Sequence, residues 1–490
     1  MSIPTIRLRN ANDRPLRPEG DYVLYWMVAF RRTRFNFALE HAADRARQWH
    51  KPLLIFEPLR ARYRWASDRL HRFVIEGMRD NADSLGDRIA TYYPYVEPRP
   101  GAATPLLHRL AKNACTVISD DYPCFFLPNL FRAVQKRLPA RLELVDGNGV
   151  IPLRAADRTM TVAHSYRRWM QKRVADYLEA SPKEFPLKGD PLPRLESLPK
   201  SITRRWKPAD LNRLLDGDGI AELPIDHQVR PCPDCPGGWR EAQRRLETFL
   251  DRGLDRYDED RNHPDETVTT GLSPHLHFGH IATHEIVARL LEREGWTPGH
   301  LGQPNGKNHG FWNVSGPAES FLDQLLTWRE IGFHHAVRYP DRYDRLESLP
   351  DWAQDTLREH AADPRPHLYT LRQFERAETH DPLWNAAQRQ LVRDGVMHNY
   401  MRMLWGKKIL HWTRSPQEAL DIMIELNNKY GLDGRDPNSY CGILWVLGRT
   451  DRAWGPKRPV FGSVRYMTSD STRRKLRLGD YLRRYGENAG

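Results

Sequence analysis

Short apolar runs alternate with stretches of helical period along the first third of the chain. Tyr22-Val23-Leu24-Tyr25-Trp26 and Pro52-Leu53-Leu54-Ile55-Phe56 are continuous β-rich runs. Further strands are expected at Ile89 to Tyr93, Thr116 to Ser119 and Leu142 to Val145. Between the first two runs Arg34 to Trp49 reads as a helix, and Arg69 to Leu85 reads as another after the second. Strands alternating with helices in this way predict βαβ units, and so an α/β N-terminal domain with a doubly wound parallel sheet over residues 1–150. Such sheets bind ligands at the carboxyl ends of their strands, although this one carries no GxGxxG phosphate loop.

The pattern then changes. Residues 151–235 form a proline-rich, basic connection, with helical pieces expected at Ser165 to Leu178 and Pro208 to Leu215. From 236 to 490 apolar residues recur at i, i+3, i+4 and i+7 with few β-rich runs, which predicts an all-α C-terminal domain. Within it, the run Met397 to Trp412 places His398, Arg402, Trp405, Ile409 and Trp412 near one helical face, with Trp384 preceding them. Tryptophans at such spacing usually pack a core. Here they share the stretch with Arg402, Asp433 and Asp436, a mixture that suits neither a surface helix nor a plain core.

Composition narrows the partner. The chain has 490 residues, enough for two to four domains, with 75 Lys and Arg against 63 Asp and Glu for a formal charge of +12. That balance favours a polyanion such as nucleic acid. The N-terminus lacks an apolar targeting core and no later run nears the ~18 apolar residues of a membrane span, so no membrane partner and a cytoplasmic, nucleoid-associated location are expected. Five cysteines are too few and scattered for a disulfide framework. The one tight pair, Cys232 and Cys235, lacks further ligands at metal spacing, and His275, His277 and His280 do not make an i, i+4 pair, so no metal is expected.

Thr270-Gly271-Leu272-Ser273-Pro274 joins a hydroxyl-rich turn to a helix start, with Ser273 expected as N-cap and Pro274 in the first turn, a place that suits a phosphate. Towards the C-terminus Arg452, Arg465 and other cations alternate with Trp454, Phe461 and Tyr466, which suits phosphate contact and base stacking.

Several of these words occur together in one family. Thr379-His380-Asp381, Leu383 to Gln388, Met397 to Trp412, Leu432 to Asn438 and Asp451 to Trp454 resemble class II cyclobutane pyrimidine dimer photolyases of the photolyase/cryptochrome family, and the resemblance runs from Val23 to Tyr466. It implies FAD in the helical domain, held by Tyr257, Thr270, Gly271, Leu272, Ser273, Arg329, Asn399, Arg402, Asn427, Asp433 and Asp436. Asn427 would face the flavin N5, and Arg402 would form a buried ion pair with Asp433. It further implies Trp405, Trp384 and Trp412 as an electron-transfer triad, and Trp328, Met403 and Trp445 against the lesion. Arg452, Trp454 and Arg465 would contact DNA containing pyrimidine dimers. A monomer is expected, and the N-terminal domain can hold a second, light-gathering chromophore.

One position departs from the pattern. Gln324 stands where class II enzymes carry a Glu that contacts the pyrimidine carbonyls; an amide can donate a hydrogen bond there but cannot supply a proton. Gln at this place also resembles (6-4) photolyases and some cryptochromes, and His334 or His335 could serve proton transfer. The functional histidines of the (6-4) enzymes match Asn399 and Met403 here, which weighs towards the cyclobutane dimer. A nucleic-acid binder without flavin would explain the charge and leave the Thr270 to Ser273 and Asn427 to Asp436 motifs without purpose.

Overall fold

The computed structural model describes residues 3–86 and 90–487. It separates into two compact units that do not follow chain order. The first comprises Met1–Ala155, Val174–Leu246 and Leu272–Arg289; the second comprises Ala156–Arg173, Glu247–Gly271 and Leu290–Gly490.

The first unit is built on six strands: β1 (Leu8–Asn10), β2 (Tyr22–Trp26), β3 (Leu53–Leu59), β4 (Thr91–Val96), β5 (Ala114–Asp120) and β6 (Leu142–Val145). Their order is β1-β6-β5-β2-β3-β4. β2 through β6 pair in parallel, whereas β1 runs antiparallel to β6, an edge strand absent from the sequence reading because its three residues carry no apolar run. β4 extends past the expected Tyr93 and includes Pro94, tolerable because β4 pairs on one side only; Ile89, expected to open it, lies outside the described residues. The order reverses between β2 and β5, and β2, β3 and β5 are buried along their whole length, as a sheet covered on both faces requires.

Local chemistry explains the helices. Asn36 caps Phe37–Gln48 by accepting from Ala38 and Leu39 N–H, while its nitrogen donates to the Phe30 and Arg32 carbonyls. Helix Asp68–Leu85 buries Val74, Ile75 and Met78 against Leu59, Val96, Leu211 and Leu215. The expected helix from Ser165 to Leu178 is two, Ala163–Gln171 and Val174–Glu179.

The second unit is helical. Its core gathers Leu383, Trp384, Ala387, Leu404, Trp405, Ile409, Trp412, Met423, Leu426 and Leu444 from four helices, Pro382–Asp394, Asn399–His411, Pro416–Tyr430 and Pro437–Val446. Helix Arg329–Arg338 crosses Pro437–Val446 so closely that a Cβ on Gly332 would lie 2.6 Å from the Asn438 Cα. Among the described residues no helix is long and apolar enough to cross a membrane.

Candidate functional site

Helix Pro382–Asp394 starts where Asp381 accepts from the Leu383 and Trp384 N–H groups and stops at Gly395, whose φ is 67°. This places Trp384 against the next helix. Its Nε1 donates to the Trp405 carbonyl at 3.0 Å, and its ring lies 6.0 Å from that of Trp412. Trp405 Nε1 donates to Gln388 Oε1 at 2.9 Å. All three indoles are at most 2 % exposed. Trp405 and Trp412, two turns apart on one helix, are thus linked through Trp384 on another. Trp412 then meets Tyr369 and His380, at 5.7 and 4.9 Å between ring centres, and His380 is exposed. The three buried indoles, joined by a hydrogen bond to the Trp405 carbonyl and by the Trp384–Trp412 ring contact, lead through Tyr369 and His380 to the surface.

One turn before Trp405, Arg402 donates to both oxygens of Asp433, at 2.9 and 3.1 Å. The pair is half-buried, with side chains 21 % and 13 % exposed, not buried as expected. It is held on the turn that follows helix Pro416–Tyr430. Gly431 and Gly434 are forced there, because a Cβ on either would stand 2.7 Å from the Asn427 carbonyl oxygen. Arg435, at φ 66°, points its guanidinium back at the carbonyls of Asn428, Gly431 and Leu432 and fixes the turn. Asp436 caps the following helix by accepting from Asn438 N–H at 2.8 Å. Asn427 is 2 % exposed, and its nitrogen donates to Asn428 and Ser439.

Gln324 and Trp328 fall within a π-helical turn, Asp323–Trp328, that runs into helix Arg329–Arg338. Such turns recur at functional sites because they re-aim side chains. Both residues are half-buried. Asp323 anchors the turn, accepting from Arg167 Nε at 2.6 Å and from Trp328 Nε1 at 3.2 Å. The neighbouring insertion, 304–314, is pinned by Glu319, which accepts from the N–H groups of Gly310, Phe311 and Trp312. Arg329 is buried with its guanidinium over Phe333. His334 and His335 do not suit proton transfer. Their Nε2 atoms are tied to the Met160 N–H and carbonyl, and burial lowers both pKa values, that of His334 to about 4.

A different environment surrounds Trp445 and Trp454. Arg465 lies over both rings, at 5.8 and 5.0 Å, and exposed Arg452 lies 4.7 Å over Trp454. Met403 packs beside Trp445 at the margin of the core. Beneath is a residue the sequence did not single out. Lys407 is fully buried, donates to the Val446 carbonyl at 2.6 Å and stands 4.9 Å over the Trp445 ring. Burial lowers its pKa to about 7, with Asp451 raising and Arg465 lowering it. A lysine in a basic run gave no hint of this.

Tyr257 is buried edge-on to Phe249 and Phe321. Gly271 takes φ 62° at the turn between Thr270 and Leu272. Ser273 is not the N-cap. It is the first helical residue, and Leu272, which precedes it, takes the cap position of the short helix Ser273–His277. Asn399 opens its helix in an exposed position. His275 and His280 are buried against Phe73, and among the described residues no three His, Cys, Asp or Glu side chains are grouped to hold a metal.

In the first unit, the loops after β3 and β5 bring together Tyr63, Trp65, Phe125 and Phe126, with Arg64 over Trp65. Trp65 and Phe125 hold φ of 71° and 59°, which bulky residues rarely adopt. Nearby, at the end of β5, Asp120 accepts from three successive N–H groups, those of Val28, Ala29 and Phe30. This is the carboxyl end of the sheet, where the strand order reverses.

No family model matches the chain. It is 33 % identical over 479 residues to a deoxyribodipyrimidine photo-lyase of Methanothermobacter thermautotrophicus, covering 98 % of this chain and 97 % of that one. It is 31 % identical to the deoxyribodipyrimidine photo-lyase of Arabidopsis thaliana, over 97 % of this chain and 91 % of that one. Among solved structures, a bacterial class III photolyase from Agrobacterium tumefaciens superposes with a TM-score of 0.68 at 18 % identity, covering 95 % of this chain and 86 % of that one. A cryptochrome from Synechocystis gives 0.64 at 16 %, covering 95 % and 88 %.

Proposed function

Because the chain belongs to the photolyase/cryptochrome family, we propose that it is a light-driven DNA repair flavoenzyme that splits cyclobutane pyrimidine dimers. The observation that carries this reading is the buried path Trp405–Trp384–Trp412, which begins one helical turn from the Arg402–Asp433 pair. The residues around that pair suit FAD. Arg402 and Asp433 offer a cation and an anion in a half-buried setting, and Asn427 offers a buried amide whose oxygen has no partner among the described residues. Tyr257 and the Thr270 to Ser273 turn would hold the pyrophosphate, with Arg329, Asn399 and Asp436 as further contacts. Held there in its reduced form, the flavin would supply, on absorbing blue light, the electron needed to open the cyclobutane ring.

The protein's part is to position, to exclude water and to conduct. Trp405, Trp384 and Trp412 would carry an electron inward, the rings of Trp384 and Trp412 lying 6.0 Å apart and Trp384 hydrogen-bonding to the Trp405 carbonyl. Gln324 and Trp328, re-aimed by the π-helical turn, would meet the lesion with Met403 and Trp445, and Gln324 can donate to a pyrimidine carbonyl. Arg452, Trp454 and Arg465 would hold the phosphates and bases around a nucleotide taken out of the stack. The aromatic and basic cluster at the carboxyl end of the sheet suits a second, light-gathering chromophore.

A second reading follows from Gln324, namely a (6-4) photolyase or a blue-light receptor without repair turnover. One measurement separates them: loss of a cyclobutane thymine dimer from an oligonucleotide, with reduced protein, in blue light against darkness. Light-dependent loss is expected. Bound flavin with no dimer loss would sink the proposal and point to the (6-4) lesion or to signalling.

A further inference from the structure

The Asn427 side chain is a buried amide with an unfinished hydrogen-bond set. Its nitrogen has two N–H bonds, and both are engaged, one with Asn428 Oδ1 at 3.1 Å and one with Ser439 Oγ at 2.9 Å. Its oxygen has no partner among the described residues, although the residue is 2 % exposed. Buried amide oxygens are normally satisfied, so this one is left for a ligand.

The nitrogen and oxygen of an amide have nearly the same shape, so the neighbours decide which way it faces. Here the decision traces back to the backbone. The Arg435 N–H donates to Asn428 Oδ1 at 2.9 Å, and a backbone N–H cannot exchange its role for that of an acceptor. The Asn428 atom facing it must therefore be oxygen. The same oxygen faces Asn427, so the Asn427 atom beside it must be nitrogen. The Asn428 nitrogen is turned to the Tyr440 hydroxyl at 3.1 Å, which accepts. Asn428 is fully buried, and the Arg435 N–H is held in place by its own guanidinium on the carbonyls of Asn428, Gly431 and Leu432.

We propose that Asn428 is a positioning residue that passes the fixed polarity of the Arg435 N–H to Asn427, so that Asn427 offers its ligand an oxygen and only an acceptor. The inference rests on the flavin reading of the site. An acceptor matches a flavin N5 that carries hydrogen and opposes the lone pair of N5 in the oxidised ring. Asn428 and Arg435 together therefore bias the site towards the reduced, N5-protonated flavin. Turning the Asn427 amide would set two oxygens against each other in a buried place.

The test is the midpoint potential of flavin bound to the full chain, for the wild type, Asn428→Leu and Ser439→Ala. Asn428→Leu removes the relay and is expected to lower the ratio of reduced to oxidised flavin at a fixed ambient potential about tenfold, or about 30 mV for a two-electron couple. Ser439→Ala leaves the Arg435 to Asn428 to Asn427 sequence intact and should shift the ratio distinctly less. An unchanged potential in Asn428→Leu, or an equal shift in both variants, overturns the proposal. Should Asn428→Leu not fold, the wild type suffices: reduced flavin labelled with nitrogen-15 at N5 should give an N–H doublet that exchanges slowly with solvent, and fast exchange overturns the relay. A wild-type chain that binds no flavin overturns instead the reading on which the relay rests.

Discussion

Two groups of tryptophans in the same helical unit differ in almost every physical respect. Trp384, Trp405 and Trp412 are sealed in the core, and two of their N–H groups are used on neutral acceptors, the Trp405 carbonyl and the Gln388 amide. Trp445 and Trp454 are half-buried and sandwiched by Lys407, Arg465 and Arg452. A positive charge over an indole opposes removal of an electron from it but attracts phosphate and stacked bases. The first group is therefore suited to carrying electrons and the second to holding nucleic acid. The same residue type suits either task because burial and neighbouring charge, not the indole, set what it can do. Lys408, at 5.1 Å over Trp412, lies beside the sealed group at its outer end.

The largest effect is expected from breaking the sealed path. Trp405→Phe should block photoreduction of oxidised flavin while chemically reduced protein still repairs in light. Photoreduction at the wild-type rate, followed by absorbance under blue light, would remove the path from the mechanism. Removing an indole from the other group should do the reverse: Trp445→Ala should weaken binding to dimer-bearing DNA by about 1–3 kcal/mol, the usual worth of one stacked base, and leave photoreduction intact. Titration by fluorescence anisotropy reads the first and absorbance the second.

A smaller effect is expected from the cations. Arg452→Ala should weaken binding to lesion-bearing duplex more than to undamaged duplex, and should reduce the slope of log affinity against log salt by about one. Equal losses on both duplexes would leave Arg452 only a general phosphate contact.

The last effect is on stability rather than on function and concerns Lys407. Burial holds its pKa near 7 in the folded chain, well below the value of an exposed lysine, so between those two pH values the unfolded chain binds the extra proton. This group alone therefore makes stability rise with pH from about 7 upwards, and its penalty is fully present below 7. Lys407→Met removes the penalty, so the variant's advantage in urea denaturation should be greatest below pH 7 and shrink as pH rises towards 9. An advantage that does not change with pH would mean that the ammonium is not the cause.

The contrast between the two groups of tryptophans was only partly present in the sequence. The β-rich runs at Tyr22 and Leu53 and the helical run from Met397 towards Trp412 could all be read from it, because each rests on residues a few positions apart. Ser273 misled for a local reason too: a serine before proline resembles a cap, but Leu272 takes that place and the short helix begins one residue later. Other features had no signal at all. Nothing along the chain says that Trp384 bonds to the Trp405 carbonyl while its ring meets Trp412, or that Lys407 lies under Trp445.

The sequence by itself determined most element types, the basic character and the motifs that carry the family resemblance, since periodicity and composition are local properties. Only the tertiary structure decided which indoles touch, which lysine loses its water and which way the Asn427 amide faces. Those depend on burial and on partners brought together from different helices and turns, and a desolvated charge or a fixed amide polarity exists only once the surrounding helices have closed around it.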